Sequence, residues 1–185
     1  MIQKTQTLPE NSLLKGEEAR HHYTDSFKLE LVNKQETRSV DEMLALFFAS
    51  GPKWGDRLMT LRNKIAGALG LKTSDTRQAA PTLQDIEKCR PGDRLGIFKM
   101  LARSPYEVVL GENDKHLNFK VSFLCHPAAA DKGRQSFCVT TLVHYNNALG
   151  RIYFFPVKPF HRLIIQSTLK QMERLNATWI QQELE

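Results

Sequence analysis

The sequence is poor in the features that would decide a function outright. It has no run of about 18 apolar residues, the length a bilayer-spanning helix needs. Its greasiest tract, Ile152 to Ile165, is interrupted by Pro156, Lys158, Pro159, His161 and Arg162. Met1-Ile2-Gln3-Lys4-Thr5 leads into no apolar core of a secretory signal, so the expectation is a cytoplasmic protein with no membrane span. Cysteine is scarce, and Cys89, Cys125 and Cys138 show no C-x-x-C spacing, which removes the common zinc and dithiol motifs. There is no G-x-S-x-G elbow, and no Ser-His-Asp or Cys-His arrangement can be argued. No G-x-G-x-x-G follows a strand, so no dinucleotide is called for and no cofactor is expected.

Charge is also missing where a nucleic-acid protein would need it. The net charge of +6 is uneven: residues 1–50 hold six basic and eight acidic groups, residues 51–100 ten and five. The excess includes Lys53, Arg57, Arg62, Lys64, Lys72 and Arg77. A nucleic-acid surface would interleave such cations with exposed aromatics or carry a known motif. Neither is present, a solvated helix face accounts for the charge, and no nucleic-acid partner is expected.

What is present is a strong pattern at the C-terminal end. From Phe160 the apolar residues fall at Phe160, Leu163, Ile164, Ile165, Leu169, Met172, Leu175 and Trp179, the spacing of one greasy face of a long helix. Pro156 and Pro159 should bend or break the segment ahead of it. Earlier, Tyr23, Asp25, Phe27, Leu29 and Leu31 alternate along a half-buried strand, with one carboxylate on its apolar side. Ser39-Val40-Asp41-Glu42 is a capping box for a short helix through Leu44, Phe47 and Phe48, ended by Gly51-Pro52. Trp54 opens a second helix with Leu58, Leu61, Ile65, Ala68 and Leu69 inward and Gly70 as its cap.

After a polar stretch with a short strand around Leu83 to Ile86, the β part follows. Arg94 to Arg103 reads as one strand and Tyr106 to Leu110 as the next, with a turn at Gly111-Glu112-Asn113-Asp114. Lys115 to Cys125 and Gln135 to Tyr145 form a pair across the loop 126–134. In simple register, each pair summing to 260, Phe119 faces Thr141 and His116 faces His144. Cys125 and Cys138 then point to opposite faces, which disfavours a disulfide. The chain is long enough for one domain, read as residues 21–185 behind an N-terminal arm of residues 1–20.

Strands followed by a covering helix give an α+β fold. Strand, two helices, a run of antiparallel strands and a long last helix is the order of the helix-grip fold, a curved sheet wrapped around its C-terminal helix. The residues carry a resemblance as well. His22-Tyr23-Thr24-Asp25-Ser26-Phe27, Pro52-Lys53-Trp54 with Leu61-Arg62-Asn63, Gly111-x-x-Asp114-x-His116-Leu117-x-Phe119-Lys120-Val121-Ser122, and Gly150-Arg151-Ile152-Tyr153 with Pro159-Phe160-His161-Arg162 stand in order. This series resembles a bacterial family of unknown function placed with the SRPBCC (START-like, polyketide-cyclase-like) proteins. The resemblance implies a cavity between sheet and helix. Family members are often fused behind an NAD(P)-binding short-chain-dehydrogenase-like domain, which implies a dehydrogenase-like protein as candidate partner. That domain is not part of this sequence.

Candidate ligand-binding residues are Asp25, Trp54, Arg62, His116, Phe119, Tyr153 and His161, with Arg151 and Arg162 in the same final segment. A carboxylate on an apolar strand face needs a partner, and Arg62, bordering the buried face of the second helix, is the expected one. Asp114, His116 and His144 make a candidate metal set, against a reading in which Asp114 caps its turn and the histidines lie outside. Trp54, Phe119, Val121, Phe160, Ile164 and Met172 are expected in the core or lining the cavity. The leading expectation is a protein that encloses a small hydrophobic or amphipathic ligand. The alternatives are a cyclase-, hydratase- or isomerase-type enzyme in the same cavity, and a module that docks on a dehydrogenase-like protein through an exposed apolar patch.

Overall fold

A computed structural model describes residues 2–5, 8–32, 37–52, 54–55, 60, 63–64, 67, 80–126 and 134–182. Seven strands form one antiparallel sheet: β1 (Ile2–Thr5), β2 (Tyr23–Val32), β3 (Arg94–Leu95), β4 (Phe98–Arg103), β5 (Glu107–Asn113), β6 (Leu117–His126) and β7 (Arg134–Tyr145). Their order is β1-β2-β7-β6-β5-β4-β3, so the first long strand closes against the last. Helices α1 (Val40–Ala49) and α2 (Leu83–Lys88) fall between β2 and β3, and α3 (Ala148–Gln182) ends the described chain. The fold is α+β and helix-grip-like, with the long helix laid across one face of the sheet.

Alternation decides which face that is. Phe27, Leu29 and Leu31 of β2, Val121 and Phe123 of β6, and Phe137 and Val139 of β7 project inward and meet Met43, Leu44, Ile86, Leu169 and Met172 from the helices. Each of these is nearly or wholly removed from water, and burying such side chains contributes roughly 1.5–3 kcal/mol apiece. The opposite face is covered by the segment before β2. Leu8 and Leu14 pack on Val109 and Leu142. Glu107, buried among them, accepts hydrogen bonds from Ser12 Oγ (2.7 Å), the Leu13 N–H (2.6 Å) and Ser122 Oγ. A buried carboxylate is tolerable only with such donors, so the segment and the sheet stabilise one another.

Local chemistry sets the element ends. Ser39 and Glu42 exchange the reciprocal bonds of a capping box at the start of α1. Residues 83–86, expected as a strand, are helical. Thr82 and Asp85 make a second capping box, and six residues are too few to display a period. Arg94 to Arg103 is a hairpin rather than one strand, because Gly96 takes a φ of +59° between β3 and β4. Gly111 belongs to β5, not to a turn. A Cβ there would lie 2.3 Å from the Phe119 carbonyl oxygen, and the turn comes three residues later.

The β6–β7 register also differs from the expected one. Phe119 faces Val143, Val121 faces Thr141 and Phe123 faces Val139, a sum of 262, so Asn118 rather than His116 lies opposite His144. A shift of two residues keeps every side chain on its face, which is why alternation alone did not detect it. Cys125 and Cys138 stay on opposite faces, and all three cysteines are free and buried.

Helix α3 runs unbroken through Pro156 and Pro159. Each proline withholds an N–H from the carbonyl four residues back, Ile152 and Phe155. Those two residues are 62% and 81% exposed, where water can replace the missing donor. Of the expected helix face, Ile165, Leu169 and Met172 are buried, Phe160, Ile164 and Leu175 are half-buried, and Leu163 is exposed. The helix start is pinned by Gly150, where a Cβ would meet the His116 carbonyl oxygen at 2.0 Å. Asn147 caps the first turn through Gly150 N–H (3.1 Å), and its amide reaches back to the Lys115 carbonyl. Of the expected second helix, Gly55, Thr60, Asn63, Lys64 and Gly67 are helical, while Leu58, Leu61, Ile65, Ala68, Leu69 and Gly70 lie outside the described residues, as does the Trp179 side chain. So do Lys53, Arg57, Arg62, Lys72 and Arg77 of the basic excess.

Candidate functional site: a buried carboxylate under the last helix

Asp25 is the third residue of β2, opposite Thr141 of β7, on the inner face and only 1% exposed. Helix α3 crosses above it. His161 precedes the buried Ile165 by one turn, which points His161 at the sheet and sets Arg162 beside it. Four side chains converge. Tyr23 donates its hydroxyl hydrogen to Asp25 Oδ2 in a short hydrogen bond, and Arg162 Nε donates to the Tyr23 oxygen at 2.9 Å. Arg162 Nε is also 3.8 Å from Asp25 Oδ2. His161 Nε2 lies 3.0 Å from Thr141 Oγ1 and 3.7 Å from Asp25 Oδ1. That last distance is an ion-pair contact, too long for a hydrogen bond. Among the described residues no group donates a hydrogen bond to Oδ1.

The electrostatics follow from the geometry. Burial pushes the Asp25 carboxyl up. The His161 contact, the Tyr23 hydroxyl and the Arg162 charge together outweigh it and hold the group below the usual carboxylate range. Burial, followed by the bond to Asp25, pushes the Tyr23 phenol well above its ordinary value, so Tyr23 stays a donor. Two cations lie over the Tyr23 ring, Lys158 Nζ at 4.8 Å from its centroid and Arg162 Cζ at 5.4 Å, while Phe154 meets its edge. The site is one buried anion under Lys158, His161 and Arg162, none of which is fully exposed. It can hold a proton or a polar ligand group against Asp25, with acid–base capacity in the imidazole.

Of the residues singled out from sequence, Asp25 and His161 meet here. Arg62 lies outside the described residues, and the arginine beside Asp25 is Arg162. Tyr153 and His116 are both buried and pack edge to face at 5.0 Å, at the start of α3, away from Asp25. Phe119 is half-buried between the two inner clusters and touches Phe98. Trp54 is 38% exposed and lines a separate groove of about 470 Å³ with Pro52, Ser167, Lys170 and Arg174. A second groove of about 410 Å³ lies between Pro81 and Gly96, and neither groove reaches Asp25.

The metal set is not assembled. His144 lies on the outer face, its ring against His22 and its Nδ1 at the Arg20 carbonyl. Asp114 accepts from the Lys115 N–H at 2.6 Å, as a turn cap does, and stands 3.4 Å from His116 Nδ1. Among the described residues, no group of three or more His, Cys, Asp or Glu side chains is placed to hold a metal ion.

Three members of the cluster were not singled out together from sequence: Tyr23, Thr141 and Lys158. Tyr23 shares the parity of Asp25, which was a usable signal. Thr141 needed the strand pairing and Lys158 the path of the helix.

Comparison with curated proteins returns no match. A crystal structure described as a conserved protein from Geobacillus kaustophilus aligns with 84% of this chain and 96% of its own length, at 12% identity and a TM-score of 0.37. A likeness of that degree does not bear on function. A family profile matches residues 18–168, which takes in both β2 with Asp25 and the part of α3 that covers it. The chain belongs to that family, whose description is protein of unknown function (DUF2867).

Proposed function

We propose that this chain binds a small, largely apolar molecule carrying one hydrogen-bond donor, held between the sheet and α3 at Asp25. The observation behind it is Asp25 Oδ1, an acceptor removed from water that no described residue serves with a hydrogen bond. Leaving such an atom unserved costs about 1–3 kcal/mol, and a ligand hydroxyl or amine would recover it. His161 and Arg162 would orient the polar end, and Val121, across Thr141 from Asp25 on the same face, with Phe119 beyond it, would meet the apolar body. On this reading the protein works in the cytoplasm as a member of the SRPBCC superfamily. On the same reading, residues 21–185 form the binding domain, and residues 1–20 an arm that adds β1 to the sheet edge and packs Leu8 and Leu14 on the outer face.

Native mass spectrometry of freshly purified protein tests the reading. A bound small molecule is expected with wild type and absent from Asp25→Asn, whose fold is checked by circular dichroism. No bound mass, together with no thermal shift on adding hydroxylated amphiphiles such as fatty alcohols or sterols, would overturn it.

The second reading is an enzyme of cyclase, hydratase or isomerase type. It draws on the contact of Asp25 with His161, a carboxylate 3.7 Å from an imidazole nitrogen. It requires turnover that His161→Gln abolishes while binding persists.

A further inference from the structure

We propose that the outward face of α3 is a docking surface for an anionic lipid bilayer. One side of this helix is buried against the sheet through Phe154, Ile165, Thr168, Leu169 and Met172. On the other side, Ile152, Phe155 and Leu163 remain 62%, 81% and 51% exposed. The steps from 152 to 155 to 163 keep them on one line along the helix, with Pro156 and Pro159 between them. Together they present on the order of a few hundred Å² of apolar surface, the size at which a patch marks an interaction.

Charge names the occupant. From Ala148 to Met172 the helix carries Arg151, Lys158, Arg162 and Lys170, together with His161, and no carboxylate. Arg151, Lys158 and Arg162 recur at steps of seven and four, so they run along one flank of the apolar line. Lys170 continues that line beyond Leu163. Lys158 and Arg162 also lean over Tyr23, whereas Arg151 and Lys170 are exposed. An apolar ridge beside a cationic flank suits the boundary between anionic headgroups and acyl chains. A second copy laid on the same face by two-fold symmetry would bring these like charges together. A protein partner would need a groove to receive a convex ridge. No described helix is long and apolar enough to cross a membrane, so the contact lies along the surface.

Co-sedimentation of the full chain with lipid vesicles tests this. Binding is expected to phosphatidylcholine vesicles containing about one-third phosphatidylglycerol, and not to pure phosphatidylcholine. Phe155→Gln should lower partitioning about tenfold. Arg151→Gln and Lys170→Gln should each lower it about fivefold and make it less sensitive to salt. Leu13→Gln, an exposed apolar residue elsewhere, should change nothing. The proposal is overturned by absence of binding to anionic vesicles, by equal binding to pure phosphatidylcholine, or by binding that Phe155→Gln leaves intact. It is also overturned by a dimer in light scattering that Phe155→Gln splits to monomers without any vesicle binding, which assigns the ridge to a second copy.

Discussion

Asp25 is the residue with the most at stake, because a carboxylate without water is stable only while its partners stay in place. Asp25→Asn should lower stability in urea by about 1–3 kcal/mol at pH 7, the scale of hydrogen bonds to a charged group. The carboxyl lies below its unfolded value, so its contribution is present above about pH 4 and disappears as the pH falls through the folded value. The gap between wild type and Asp25→Asn should therefore close in acid, and a constant gap down to low pH would contradict the assignment. Tyr23 works in the opposite sense. Its phenol lies above the unfolded value, so its stabilisation is complete below about pH 10 and is lost as the pH rises beyond that. Wild type should lose more stability than Tyr23→Phe over that alkaline range, measured by denaturant titration.

Helix α3 is where the elements of the fold conflict most. Its two prolines are tolerated because the deprived carbonyls face water, yet a proline inside a helix still costs up to about 3 kcal/mol against alanine. Pro159 is exposed and packs on little, so Pro159→Ala should stabilise the protein, with a rise in thermal midpoint as the readout. The helix start behaves differently. Gly150→Ala would drive a methyl group into the His116 backbone carbonyl, which cannot swing aside as a side chain could, and should destabilise by at least about 2 kcal/mol. Equal stability of the two proteins would mean that Gly150 of α3 and the His116 carbonyl are not in contact.

At the scale of the whole molecule, the sheet is covered on both sides, by helices within and by the segment before β2 without. Deleting residues 1–20 would remove the edge strand β1, uncover Val109 and Leu142, and strip Glu107 of Ser12 Oγ and the Leu13 N–H. The truncated protein should bind a hydrophobic dye and unfold at markedly lower urea concentration. An unchanged urea midpoint would show that this covering contributes nothing. The same arrangement shows how far the sequence could be read. The inner face of β2, the Ser39–Glu42 cap, the α+β class and the closing helix follow from local periods and short-range bonds. The Thr82–Asp85 box also depends on short-range bonds alone, although residues 83–86 read as a strand.

What the sequence determined by itself was which residues face which way, because alternation and helical spacing depend only on near neighbours along the chain. It also determined that Asp25 needed a partner. Only the tertiary structure decided that the partners are Tyr23, His161 and Arg162. Arg162 lies 137 positions from Asp25 along the chain, and its approach depends on how far α3 has travelled across the sheet when it passes β2. The β6–β7 register was open for a related reason. A two-residue slide preserves every face, so the choice falls to the turns at either end and to the close contact at Gly150, none of which alternation records.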